Sequence, residues 1–341
     1  MVSYLKFFHQ DIPKTVSVII PFYNGSKWIE RALFSVYDQT VKANEVIVVN
    51  DGSTLEEQDV IEALSKQYQF TLIHKSNGGQ SSARNVGVTA SKANYISFLD
   101  QDDFYLPNHL EDLLGVIPDN DKRFGFAYAD LMHADEDGNI VDSNILRQQP
   151  GRHPKQGHVY QLLQYNMCVL PSASLIFKQA FQAINGFDEQ LIGYEDDDLF
   201  LRLFRAGYSN YFIDKPVTAW CTRKDSASDT IKMAKSALLY FKKLMDAFPN
   251  KRDFKKALFP RFQRTFISWA RYTVRKNTPD QYEALSILHE YIDFCLNKKI
   301  NMIYLFRAYT IFVVLKSWVH ICNNISPFSA KKSSIHSPSE W

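Results

Sequence analysis

Cysteine is scarce in this chain and badly spaced for chemistry. Cys168, Cys221, Cys295 and Cys322 have neither the clustering of a metal site nor the pairing of a redox motif, so a disulfide framework and a zinc centre are excluded as organising devices. No G-x-G-x-x-G follows the first strand-like run, which removes support for a dinucleotide-binding form of an α/β fold. The first thirteen residues lack the basic-then-apolar form of a signal peptide, so a reducing cytoplasm is the expected home. A membrane span is not expected either, because the most apolar stretch, residues 303–322, is interrupted by Arg307 and Lys316. Net charge of one sign is also missing, with 39 Lys+Arg against 37 Asp+Glu. That balance hides an asymmetry: residues 1–222 hold 18 basic and 28 acidic side chains, residues 223–341 hold 21 and 9, and the two parts carry −10 and +12. An acidic part suits a cation and polar substrates. A basic part suits an anionic membrane surface or a charged substrate, nucleic acid not being among the expected partners; alternatively the two parts simply dock on each other.

What is present is an ordinary globular composition. With 45% of 341 residues apolar there is room for one large catalytic domain and a smaller appendage. The β-branched run over residues 15–20 predicts a buried first strand stopped by Pro21, then a loop and a helix over 27–38 capped by Ser26. The alternation continues with strands over 45–49, 70–74 and 95–99 and helices over 56–68 and 81–90, which means a Rossmann-like, mainly parallel sheet flanked by helices. Further strands are expected over 124–129 and 172–177, a helix over 106–116, and a hairpin turn at Asp137-Gly138. The polar segment 147–158 reads as a long loop in which His153 and His158 are solvated. Helices over 231–248, 254–274, 282–296 and 303–322 make an α-helical C-terminal extension, and the Ser- and Lys-rich tail from 326 has the composition of a disordered segment. On the last helix Tyr304, Leu305, Ala308, Ile311, Phe312, Leu315, Val319 and Cys322 share one arc, which suits either a membrane interface or the protein's own core.

The chemistry gathers at strand ends. The apolar run 95–99 drives straight into Asp100, Gln101, Asp102 and Asp103, and a buried strand ending on three carboxylates needs a compensating charge. A divalent cation, Mg²⁺ or Mn²⁺, held by one or two of these carboxylates and by substrate phosphates would supply it; capping of the following helix is the simpler alternative. A second cluster, Glu195-Asp196-Asp197-Asp198, opens a helix. It either complements the helix dipole or provides a general base whose proton affinity its neighbours raise. Asp51 at the second strand end could accept a hydrogen bond from a base or ribose, and Tyr23 at the first could stack on a base; a turn-forming Asp and a half-buried Tyr are equal alternatives.

Taken together, residues 15–228 resemble a family 2 glycosyltransferase with the GT-A fold. The resemblance rests on Val18-Ile19-Ile20-Pro21-Phe22-Tyr23-Asn24, Asn50-Asp51-Gly52-Ser53, Asn77-Gly78-Gly79 with Ala83-Arg84-Asn85-Val86-Gly87, Leu99-Asp100-Gln101-Asp102-Asp103, and Gly186-Phe187-Asp188-Glu189 with Gly193-Tyr194-Glu195-Asp196. It implies a nucleotide-sugar half over about 15–103 and an acceptor half over about 104–228 of a catalytic domain 1–228, followed by a helical basic region 229–325 and a tail 326–341. Pro21, Tyr23, Asp51, Arg84, Asp100 and Gln101 would lie on the nucleotide-sugar, with Asp51 at uracil, Arg84 approaching the nucleotide and Asp100 at the ribose. Asp102 would hold the metal, Tyr194 and Glu195 would line the acceptor side, and Asp196 would be the catalytic base. The implied reaction is inverting, from a nucleotide-sugar donor, most simply a UDP-sugar, to a glycan or lipid-linked acceptor, the latter placing the protein peripherally on the inner membrane face. Two departures stand out. The Q-x-x-R-W signature of processive members is absent, Arg264 being followed by Thr265, which favours addition of a single sugar. Where many members carry a histidine before the Ser-x-Ser of a loop, Arg223 stands here, able to clamp diphosphate oxygens but not to ligate a metal. A sugar nucleotidyltransferase would need a Gly-rich basic first loop, and residues 23–27 hold one Gly and one Lys; a non-catalytic glycan-binding relative is disfavoured because both acidic clusters are intact.

Overall fold

The computed structural model describes residues 12–148, 153–154, 159–222, 231–248, 252–300 and 302–325. Arg223, His158 and the tail 326–341 lie outside the described residues. The chain divides into two compact units, Met1–Ser228 and Asp229–Trp341.

The first unit is built on one sheet. β1 (Val16–Phe22), β2 (Glu45–Asp51), β3 (Thr71–Lys75) and β4 (Tyr95–Phe98) are parallel in the order β3-β2-β1-β4, with α1 (Ser26–Tyr37), α2 (Leu55–Tyr68) and α3 (Gln80–Ala90) as crossovers. The half beyond β4 is mixed. β5 (Phe104–Tyr105), β6 (Phe124–Ala134), β7 (Ile140–Asp142), β8 (Ser174–Phe177) and β9 (Ser209–Cys221) extend the sheet as β4-β8-β6-β9-β5, β7 pairing with β6, and only the β6–β9 pair among these is parallel. The parallel reading therefore holds for the first half. The second half turns antiparallel because β8 inserts between β4 and β6.

Local chemistry explains the departures in detail. β1 runs through Pro21, which pairs with Val49, because the ladder to β4 has already ended and a residue lacking an N–H is tolerated where the strand has one neighbour. Ser26 is the first residue of α1 and not its cap. Its N–H and hydroxyl both donate to the Glu57 carboxylate, each at 2.8 Å, so a charged group from α2 satisfies that helix end. α4 (His109–Gly115) is shorter than the predicted 106–116. His153 is not solvated: its Nδ1 lies 2.8 Å from the Tyr128 hydroxyl and its ring 4.7 Å from that of Phe212. The thirteen-residue β9, absent from the sequence reading, crosses Pro216 and shifts register against Asp130. α5 (Val159–Gln164), α6 (Lys178–Ala183) and α7 (Glu195–Arg205) complete the unit.

The second unit is helical: α8 (Ile231–Ala247), α9 (Arg252–Arg275), α10 (Gln281–Asn297) and α11 (Met302–Ile325). Aromatic rings fill its centre, with Phe241 5.1 Å from Tyr291 and 5.2 Å from Phe262. Leu305, Ala308, Phe312 and Val319 of the predicted arc are buried as α11 packs on α9 and α10. That arc thus faces protein, so any membrane contact of this helix must use another face. Among the described residues no helix is long and apolar enough to cross a membrane.

Candidate active site

The site begins where the apolar run of β4 stops. Past Leu99 the chain turns, the Asp103 N–H donating to the Asp100 carbonyl at 3.0 Å, which leaves Asp100 and Asp102 partly exposed and buries Asp103. The Asp103 carboxyl accepts from the Ser172 hydroxyl and the Cys221 N–H, each at 2.9 Å, tying the acidic turn to the end of β9. Burial, then the nearby Asp100 and Asp102 carboxylates, raise its proton affinity well above the ordinary range. Arg31 of α1 holds the turn from the other side, donating to the Asp102 carbonyl at 2.8 Å and the Glu136 carbonyl at 3.2 Å.

Gln101 closes on the loop after β1. Its amide accepts from the Tyr23 N–H at 2.9 Å and donates to the Tyr23 carbonyl at 3.1 Å, and a side chain at Gly25 would collide with it. Tyr23 itself is half exposed, available to a planar ligand, whereas Pro21 is buried within β1. Asp51, expected at the base, is buried and engaged. Lys75, opposite it in the β2–β3 register, donates to it at 2.6 Å, and the Gly78 and Gly79 N–H groups donate at 2.9 and 2.7 Å. Its present work is to hold the loop between β3 and α3.

α3 joins the two acidic clusters. Arg84 is 2% exposed, its guanidinium near the rings of Phe98 and Phe187, and it donates to Asp100 at 2.6 Å and to Glu195 at 3.5 Å. Burial works against its charge, but Asp100 and Glu195 outweigh this and keep its proton affinity above the ordinary guanidinium value. Arg84, expected to approach the nucleotide, is here a buried tie between carboxylates of the two clusters. Asp100, expected at a ribose, already accepts on one oxygen from both Arg84 and the Gln80 amide, the latter at 2.7 Å. Asn85 extends the connection, exchanging 3.0 Å hydrogen bonds with the Phe187 backbone and donating to Glu189 at 2.9 Å.

The second cluster sits on the first turn of α7. Tyr194, with φ 65°, ends the approach in a left-handed conformation and accepts from the Asp198 N–H at 3.0 Å. Asp198 is paired with Arg202 at 2.7 Å, and Arg202 also donates to the Ile184 and Gly186 carbonyls, pinning the helix to the preceding turn. Asp197 accepts from the Met167 N–H. Glu195 is raised by burial, opposed by Arg84. Asp196 is pushed up to about 8, by burial first and then by the Glu195 and Asp197 carboxylates.

The donor set is suited to a hard cation, being carboxylate oxygen throughout. Among the described residues no group of three or more His, Cys, Asp or Glu side chains is placed to hold a metal alone. The arrangement therefore fits a cation that shares its ligands with bound phosphates, not one caged by protein. Gln80, Arg31 and Lys75 escaped the sequence reading; the facing positions of Asp51 and Lys75 on adjacent strands were the one usable signal, and nothing local marks Arg31.

Comparisons with known proteins bear on the family and the fold. The family described as Glycosyl transferase family 2 matches residues 17–183, and one described as N-terminal domain of galactosyltransferase matches residues 163–224. An uncharacterized glycosyltransferase of Rickettsia prowazekii, RP339, is 34% identical over 199 residues, 58% of this chain and 60% of that protein. One of Haemophilus influenzae is 30% identical over 227 residues, 65% of this chain and 74% of its own length. The chain spans 18% to 60% of the length of the first curated relatives it matches. Among solved structures, S. aureus TarS residues 1–349 in complex with UDP-GlcNAc superposes with TM-score 0.59 at 18% identity, covering 82% of this chain and 80% of that one. The mannosyltransferase PcManGT of Pyrobaculum calidifontis, in complex with GDP-Man and Mn²⁺, gives TM-score 0.55 at 16% identity, covering 91% and 88%. At these identities the likeness is one of fold.

Proposed function

The chain belongs to glycosyltransferase family 2, and from that premise we propose that it transfers one sugar from a nucleotide-sugar, most simply a UDP-sugar, to a hydroxyl of a glycan or lipid-linked acceptor with inversion at the anomeric carbon. The observation that carries this reading is Arg84, which contacts an acid from each cluster and so brings donor-side and acceptor-side carboxylates around one point. Tyr23, half exposed beside the Gln101 bridge, is the stacking surface for the base. Asp102 would hold Mg²⁺ or Mn²⁺, which when bound supplies positive charge to the diphosphate. Asp196 takes the proton of the acceptor hydroxyl as its oxygen forms a bond to the anomeric carbon; the bond from that carbon to the diphosphate oxygen breaks, and the nucleoside diphosphate leaves with the electron pair. The raised proton affinity of Asp196 suits a base working near neutral pH. TarS with UDP-GlcNAc and PcManGT with GDP-Man support a nucleotide-sugar donor.

The test is nucleoside diphosphate release from a panel of UDP- and GDP-sugars. Asp196→Asn is expected to retain nucleotide affinity while losing about 10²-fold or more in turnover, the scale of a lost general base. Unchanged turnover would remove Asp196 from the role, and a product retaining the donor's anomeric configuration would exclude the mechanism.

A further inference from the structure

The charges of the helical unit are sorted by face. Three of its carboxylates are spent between α8 and α10, where Lys235 pairs with Glu283, Lys242 with Glu290 and Lys298 with Asp246. No Asp or Glu occurs between Asp253 and Asp280, nor between Asp293 and Glu340. Nearly all of α9 and the whole of α11 therefore carry cations alone. Between them lies an open cavity of about 500 Å³ lined by Arg264, Arg271, Tyr272, Arg275, Lys276 and Arg307. Among the described residues no carboxylate lines it.

A second observation concerns α11 itself. With Leu305, Ala308, Phe312 and Val319 buried inward, the helix turns a different apolar set outward: Phe306 is 70% exposed, Trp318 59% and Tyr309 52%, with Val313 and Val314 among them. Large apolar side chains exposed along one helix, around the side away from its buried arc, mark an interaction surface. Aromatic and aliphatic groups beside arginines suit the water–lipid boundary, where rings enter the headgroup region and guanidinium groups grip phosphate in a bidentate way. A soluble phosphate compound would use the cavity and leave Phe306, Tyr309 and Trp318 without purpose. An acidic protein partner would be met equally well by cations without the rings.

We propose that the α9–α11 face is a docking surface for an anionic lipid bilayer, its arginine-lined cavity receiving lipid phosphate groups while Phe306, Tyr309 and Trp318 enter the headgroup layer. The helix lies along the surface, since no described helix is long and apolar enough to cross. The inference does not depend on the proposed reaction.

Flotation of the full chain with vesicles tests it. Vesicles of phosphatidylcholine with phosphatidylglycerol are expected to carry the protein, those of phosphatidylcholine alone to carry little, and high salt to release it. Arg271→Glu with Arg275→Glu is expected to weaken vesicle affinity about tenfold or more, and Phe306→Ser with Trp318→Ser to weaken it at unchanged far-ultraviolet circular dichroism. Should the charge-reversed protein misfold, Arg271→Gln with Arg275→Gln takes its place. Equal binding to neutral vesicles, no binding to anionic ones, or full binding by the arginine variants would overturn the proposal. So would displacement of the protein by inorganic phosphate while the Phe306 and Trp318 variant still binds, since that result describes a soluble-anion site.

Discussion

Arg84 and Asp196 show how two residues on adjoining elements divide the electrostatic work. Arg84 is buried with its two terminal nitrogens turned on Glu195 and Asp100, and truncating it would leave those carboxylates facing one another without a cation. Asp196 lies one position further along α7, where the arginine's help is smallest and the neighbouring Glu195 and Asp197 push its proton affinity up to about 8 from 3.8. A carboxyl whose affinity is higher in the folded state than in the unfolded chain stabilises the fold fully below the unfolded pKa. That contribution is lost as pH rises through the folded one. Asp196 thus weakens the protein progressively from about pH 4 to about pH 8, whereas an amide would not. Asp196→Asn is expected to melt at nearly the wild-type temperature at about pH 4 and several degrees above it at pH 8, by thermal fluorimetry in the absence of nucleotide and metal. If Asp196 is the base, as proposed, wild-type turnover is expected to rise over the same interval. A melting difference that does not change with pH would show that Asp196 keeps its charge without cost.

At the scale of elements, α3 does most to assemble the site, since Gln80, Arg84 and Asn85 all leave its first two turns. The helix can reach its place only because Gly87 lets it lie directly on β1, where an added Cβ would overlap the Ile19 side chain. Alanine is the better helix former by about 1 kcal/mol, yet overpacking at a close contact costs about 1–3 kcal/mol, so the clash wins. Gly87→Ala is expected to lower the melting temperature and to reduce nucleoside diphosphate release, because α3 must shift and take Arg84 with it. A variant as stable and active as the parent would show that the helix has slack. These elements also mark what was legible in advance. The β-branched runs of β1, β2 and β4 and the 3.6-residue periodicity of α8 to α11 declare themselves locally, and so do the acidic strand end at Asp100 and the cluster at Glu195. β9 does not: Asp214, Lys215 and Pro216 interrupt its apolar alternation, and it is held together by pairing with β6, a partner eighty residues away. The burial of Arg84 was hidden for a similar reason, since an arginine reads as exposed until the chain brings it two carboxylates and two rings.

Across the whole molecule the charge asymmetry of the chain suits the two roles proposed for its units. The acids of the first unit gather at the end of β4 and the start of α7, where they suit a cation and a reacting hydroxyl, and helices α9 and α11 of the second carry the arginines that line its cavity. If chemistry and docking belong to different units, they are separable by substitution. Asp196→Asn should lose nucleotide-sugar hydrolysis and float with anionic vesicles like the parent, because no group on α9 or α11 is altered. Arg271→Glu with Arg275→Glu should lose flotation and hydrolyse the donor in free solution within about twofold of the parent, since the substitutions lie in a separately packed unit and sites with no shared partners act independently. Both assays on both proteins decide the matter. A fall in hydrolysis for the arginine variant without vesicles present would mean that the helical unit contributes to the chemistry itself, and the two activities would then have to be treated as one.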